Sequence, residues 1–182
     1  MGRKPATYAD LEALPAGVVG EIIAGELYAS PRPAVPHAFA SSRLGVMLGG
    51  PFDLGEGGPG GWLLLDEPEL HLGQDVLVPD LAGWRRERLP VLPKGAAFNL
   101  APDWACEVLS PSTSRLDRKV KVPVYAREGV GHLWLVDPEA RTLEVLRLGE
   151  GRYVQLGVHE GAVRVRAAPF EALELDLARL WA

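Results

Sequence analysis

One cysteine, Cys106, stands in 182 residues, so the chain has no internal disulfide and no zinc site built of cysteines. Long apolar runs are missing as well. The bursts at 62–65, 76–78 and 133–136 fall far short of the ~20 apolar residues that a membrane helix needs. The start of the chain, Met1 to Pro5, leads into mixed polar and apolar residues instead of the apolar core of a secretory signal. These gaps lead us to expect a cytoplasmic protein with no membrane partner. Positive charge is also in deficit: a net charge of −5 excludes a protein that coats nucleic acid through bulk electrostatics. No Gly-x-Ser-x-Gly elbow surrounds Ser110, Ser112, Thr113 and Ser114, which argues against a serine nucleophile. No Lys-Ser/Thr pair follows Gly57, Gly58, Gly60 and Gly61, which removes a phosphate-binding loop. His71, His132 and His159 lack metal-ligand spacing.

What is present is 47% hydrophobic residues in a length that buries one ordinary core, so a single domain over 1–182 is expected. A short helix is predicted over 7–14, capped by Thr7 and stopped at Pro15. A strand pair broken at Gly25 follows over 21–29, then a helix over 37–48 and a glycine-rich, mobile loop over 49–61. The runs 62–65, 69–72 and 76–81 read as strands of one meander, and 104–109 as another strand. The stretch 112–128 reads as a helix ending at Gly129 and kinked or restarted at Pro123. A hairpin over 132–136 and 142–147 turns at Asp137-Pro138, and two short strands and a helix over 175–181 close the chain. The order implies an α/β domain around a mixed sheet flanked by helices.

Two acids stand out against this frame. Alternation along a strand puts Asp80 on one face with Val76 and Val78, and Glu107 on one face with Ala105 and Leu109, leaving Cys106 in the core of the other face. A carboxylate in apolar surroundings needs a partner, and a divalent cation is an effective one. Mg²⁺ binds through one or two carboxylates and keeps several waters. Lys121, with Asp117 and Tyr125 four residues to either side, shares their helix face and could stand beside an attacking water and phosphoryl oxygens. Other readings stay open at this point: acids at strand ends in water, an exposed Asp117–Lys121 pair, or a buried ion-pair network without chemistry. His37, at the head of its helix, is a candidate for touching substrate or capping.

The fragments Glu21-Ile-Ile-Ala-Gly-Glu-Leu27, Pro36-His37, Val78-Pro-Asp80, Glu107-Val-Leu-Ser-Pro-Ser-Thr113, Asp117-Arg118, Lys121-Val-Pro-Val-Tyr-Ala-Arg-Glu-Gly-Val130 and Leu133-Trp-Leu-Val-Asp-Pro138 occur in one order. In that ordered set the chain resembles the bacterial Uma-two family of restriction-endonuclease-like proteins, within the PD-(D/E)XK nuclease superfamily. The resemblance implies a restriction-endonuclease-like core, a metal-dependent nuclease activity on nucleic acid, DNA in the first place, and Mg²⁺ or Mn²⁺ as cofactor. It implies Asp80 and Glu107 as metal ligands, Lys121 as the catalytic lysine, a backbone carbonyl near Val108 as a further ligand, and Glu21 and His37 as additional site residues. The superfamily's literal pattern places lysine two residues after the second acid, where Leu109 stands here, and Lys121 from the next helix takes its place. Arg85, Arg86, Arg88, Arg115 and Arg118 are the candidates for phosphate contacts. A homodimer is the expected assembly for cutting two strands. The alternative from another class is an inactive nuclease-fold module that binds or assembles.

Overall fold

A computed structural model describes residues 4–182. Helix α1 (Tyr8–Glu12) starts at Thr7, whose backbone N–H and hydroxyl both donate to the Asp10 carboxylate at 2.7 and 2.8 Å. Strands β1 (Val19–Ile23) and β2 (Glu26–Ser30) form a hairpin across Ala24-Gly25, both with positive φ. Helix α2 (Val35–Leu48) runs on into a π-helical segment, Gly49–Leu54, that buries Phe52. The mobile loop expected over 49–61 is therefore corrected: its first half is helical, because Phe52 finds an apolar pocket against Phe170.

Next come β3 (Trp62–Asp66), β4 (Leu70–Leu72), β5 (Asp75–Leu77), β6 (Leu81–Arg85) and β7 (Trp104–Val108). These do not make one meander. Strands β4 and β5 join the first hairpin in a sheet ordered β2-β1-β5-β4, whereas β3, β6 and β7 enter a sheet of six. The expected strand over 76–81 breaks at Val78-Pro79-Asp80, where the chain passes from the small sheet to the large one, so Asp80 sits in the bend and not on a strand face. Strand β6 is disguised by Gly83, which is required there: a Cβ would come within 2.7 Å of Leu64 and 3.3 Å of Trp104.

Helix α3 (Ser114–Leu116) and helix α4 (Val122–Arg127) are joined by a π-helical turn, Asp117–Lys121. Val122 N–H donates to the carbonyl of Asp117, five residues back, and Pro123, which has no N–H to donate, follows directly in the first turn of α4. Strands β8 (His132–Asp137), β9 (Thr142–Gly149) and β10 (Arg152–Glu160) complete the large sheet, ordered β10-β9-β8-β7-β6-β3, in which only β7 and β8 are parallel. Where two short strands were expected, one has nine residues, and the C-terminal helix shrinks to a 3-10 turn at Leu177–Leu180. Ahead of that turn β11 (Arg164–Val165) pairs with β12 (Leu175–Asp176).

Alternation in β7 decides which side of the large sheet each residue serves. Trp104, Cys106 and Val108 join α2 and the C-terminal segment in one apolar cluster, while Ala105 joins α4 and the small sheet in the other. Glu107 therefore points between the large sheet and α4. Phe170 is the aromatic hub of the first cluster, with ring centroids 4.7–5.6 Å from Phe52, Trp62, Trp104 and Trp134. We expect Phe170→Ala to lower stability by about 3–5 kcal/mol in urea unfolding, as deletion of a buried ring does; a loss below about 1 kcal/mol would place the core elsewhere. No helix among the described residues is long and apolar enough to cross a membrane.

Candidate functional site

Five elements aim charged side chains into one cavity of about 360 Å³. Glu21 comes from the middle of β1, His37 from the first turn of α2, Asp80 from the bend before β6, Glu107 from the end of β7, and Asp117 and Lys121 from the two ends of the π-helical turn. Four of the six, Glu21, Glu107, Asp117 and Lys121, are almost wholly buried. The bend positions Asp80 through its own carboxylate, because Oδ2 accepts from the Val108 N–H at 2.7 Å and so ties the bend to the end of β7. Oδ1 of Asp80 lies 3.2 Å from Nε2 of His37.

Lys121 is the centre of the charge arrangement. Its Nζ is 2.8 Å from Oε1 of Glu21, 2.8 Å from Oε1 of Glu107 and 3.9 Å from Oδ1 of Asp117. Burial alone would pull its pKa down, but the three carboxylates more than offset that and hold it above the ordinary lysine value. These carboxylates thus favour the charged form of Lys121. The sequence reading of an exposed Asp117–Lys121 pair is corrected: both side chains are buried. Leu109, where the literal pattern wants lysine, lies in the second apolar cluster, which would strip a lysine there of solvation.

One lysine does not balance four acids. Burial pushes the Glu107 carboxyl well above the usual range, with Lys121 opposing and Asp117, Asp80 and Glu21 reinforcing. Asp117 is raised to about 6, chiefly by burial, against the pull of Lys121. His37 is raised above its ordinary value: burial lowers it, but the hydrogen bond and charge of Asp80, the charge of Asp117 and the Val108 carbonyl outweigh that. Tyr125 donates its hydroxyl proton to Oε1 of Glu107, so that oxygen is held by both Lys121 and Tyr125.

Among the described residues, no group of three or more His, Cys, Asp or Glu side chains converges on one metal position. What the cavity offers is a two-carboxylate set, Asp80 and Glu107, in a surplus of negative charge. That suits a hard cation that keeps most of its waters, such as Mg²⁺ or Mn²⁺, and not one that demands a closed protein cage.

The sign of the Asp117 shift makes a test of this electrostatics. A carboxyl raised from 3.8 to about 6 in the folded state adds stability that is fully present below pH 3.8 and lost as pH rises through 6. The loss from this group is at most about 3 kcal/mol. Urea unfolding between pH 4 and 7 without divalent ions should show stability falling with pH, and less steeply in Asp117→Asn. Equal slopes would mean that Asp117 is not perturbed.

The five arginines expected at phosphates are not brought to this cavity. Arg85 ends β6, roughly 16 Å from Asp80 at the rise of a strand, and lies over the Trp62 ring with its guanidinium carbon 4.5 Å from the ring centroid. Arg86 pairs with Asp53, Arg88 with Asp103 at 2.7 Å, and Arg118 with Glu144. Arg115 is exposed on α3. The arginine that does line the cavity is Arg32, in the proline-rich link between β2 and α2, where no strand or helix periodicity could have marked it.

A family model described as "Putative restriction endonuclease", Uma2, matches residues 5–178. The chain belongs to the Uma2 family. Every residue of the cavity lies inside the Uma2 match. A crystal structure described as that of a "putative nuclease belonging to DUF820", from Anabaena variabilis, superposes with a TM-score of 0.78 over 97% of this chain and 98% of that one. At 23% identity that likeness shows the fold, which is the α/β, restriction-endonuclease-like one expected from the sequence. No curated protein matches. Uma2 membership supports a nuclease-like function for the chain. The roles of single residues rest on the geometry above.

Proposed function

We propose that this Uma2 protein is a divalent-metal-dependent endonuclease that hydrolyses phosphodiester bonds of nucleic acid, DNA first of all. The observation that carries the reading is the convergence of Glu21, Glu107 and Asp117 on Lys121, the one buried cation among the described residues, in an open cavity that Asp80 also lines. A buried excess of carboxylate is costly unless a cation joins it. Asp80 and Glu107 would hold Mg²⁺ or Mn²⁺, which supplies polarisation of a phosphoryl oxygen and a more acidic bound water.

The chain's own residues do the rest by position. Lys121 and Tyr125 both hold Oε1 of Glu107. The Val108 N–H fixes one oxygen of Asp80. Lys121, held in its charged form by the carboxylates around it, offsets negative charge that builds on the phosphoryl group. Glu21 anchors Lys121 and, by accepting from the Val78 N–H at 2.8 Å, also anchors the bend that carries Asp80. His37, with a hydrogen bond to Asp80, stands where it can meet substrate, not where it caps its helix. The homodimer belongs to the same reading. The edge available for it is β10, with Val154, Leu156 and Val158 exposed, although the irregularity between Gln155 and Gly157 interrupts the alternation of that strand.

The second reading, an inactive binding or assembly module, draws on the saturation of Lys121 by carboxylates and on the lack, among the described residues, of a group of three side chains that could hold a metal. Plasmid, single-stranded DNA and RNA incubated with Mg²⁺ or Mn²⁺ separate the two readings. Cleavage that chelator abolishes supports the enzyme; binding without cleavage under every metal supports the module.

A further inference from the structure

Almost every group in the cavity wall that could donate a hydrogen bond to a phosphate is already committed. Lys121 is shared among three carboxylates and the Val78 carbonyl, and His37 is held on Asp80 through Nε2, its Nδ1 being buried without a partner. The hydroxyls of Ser110, Ser112 and Thr113 close on one another at 3.0 Å, and Thr113 also lowers the pKa of Asp117 by hydrogen bonding. Arg32 is the solvent-facing exception. It lines the same cavity from the opposite loop, is exposed, and has no ion pair among the described residues. The other arginines nearest in character, Arg86, Arg88, Arg118 and Arg127, are all neutralised by neighbouring carboxylates.

Its guanidinium lies over Gly17, where a Cβ would come within 3.4 Å of Nε, and Gly17 has a φ of +84° that a side chain would strain. The turn before β1 is thus shaped to leave the arginine head room. Pro31 and Pro33 on either side of Arg32 restrict the backbone of the loop that carries it. A planar, permanently charged fork on a stiffened loop is suited to a phosphate that approaches side-on.

We infer that Arg32 is a substrate-binding residue that grips a backbone phosphate next to the one presented to Asp80 and Glu107, on the same strand of nucleic acid. The inference rests on the nuclease reading of the cavity and adds to it the residue that takes the flanking phosphate. It also names the group by which an acidic protein can hold a polyanion at a cavity rich in carboxylates: the charged side chain on its wall that no carboxylate neutralises among the described residues.

The test is fluorescence anisotropy with labelled single-stranded and duplex DNA in Ca²⁺, over a series of salt concentrations, for wild type, Arg32→Ala, Arg32→Lys and Arg86→Ala. Arg32→Ala should weaken binding about tenfold, the worth of a hydrogen bond to a charged group. It should also make the plot of log affinity against log salt shallower by about one phosphate contact. Arg32→Lys should keep the salt slope and recover part of the affinity, and Arg86→Ala should match wild type. Wild-type binding that Arg32→Ala leaves unchanged in strength and slope overturns the role of Arg32 and spares the nuclease reading. A wild type that binds neither probe overturns both. Thermal midpoints confirm that each variant is folded, as expected for an exposed position.

Discussion

Urea unfolding of Lys121→Met is expected to show a loss of about 3–5 kcal/mol, because the substitution leaves Glu21, Glu107 and Asp117 buried with no cation among them. Methionine fits the space of the alkyl chain, so the loss reports charge and not volume. The three acids would respond by taking up protons, and the stability of the variant should recover toward low pH more than that of wild type. Addition of Mn²⁺ should also recover part of the loss if the acids accept a cation, and cleavage should be lost with or without recovery. A destabilisation below about 1 kcal/mol would mean that the lysine is not what the acids need. A destabilisation of the expected size with unchanged cleavage, measured where the variant remains folded, would leave the network structural and move the chemistry elsewhere.

Asp80→Asn has the opposite profile. The amide oxygen can still accept from the Val108 N–H, which is the contact that ties the bend to β7, so stability should stay within about 1 kcal/mol of wild type. What disappears is a negative charge at the mouth of the cavity. Cleavage is expected to fall by on the order of 10³-fold or more, since electrostatic terms of this kind dominate such sites. The pair of variants thus separates the two jobs of the cluster: Lys121 is needed both to fold and to act, Asp80 only to act. If Asp80→Asn unfolds the protein while Lys121→Met does not, the division is reversed and the bend is the true keystone.

Much of this was legible in the chain because the acids and the lysine lie in local patterns. Alternation in β7 told which neighbours Glu107 keeps, and a four-residue spacing told that Asp117, Lys121 and Tyr125 share a face. The π-helical turn could not be read, although Pro123, which lies directly after it, marked where the helical run is interrupted. What stayed hidden depends on pairing between distant segments. Strand β5 meets β1 through Ile22 and Val76, and nothing local in either segment records it. The same absence of local signal led the strands over 62–81 to be read as one meander and Asp80 to be placed on a strand face. The arginines mislead for a related reason. Charge runs on a sequence do not show which carboxylates fold back to meet them, as Asp53, Asp103 and Glu144 do. Arg32, isolated between prolines, carries no such run and ends up in the cavity.

The most direct measurement is a calorimetric titration of Mn²⁺ into wild type and Asp80→Asn, paired with cleavage of plasmid and single-stranded DNA by the same preparations. Wild type should bind the ion and cut at least one substrate, and the folded variant should do neither or bind far more weakly. A wild type that binds no divalent ion and cuts nothing would contradict the nuclease reading and leave the cavity as the charged core of a binding module.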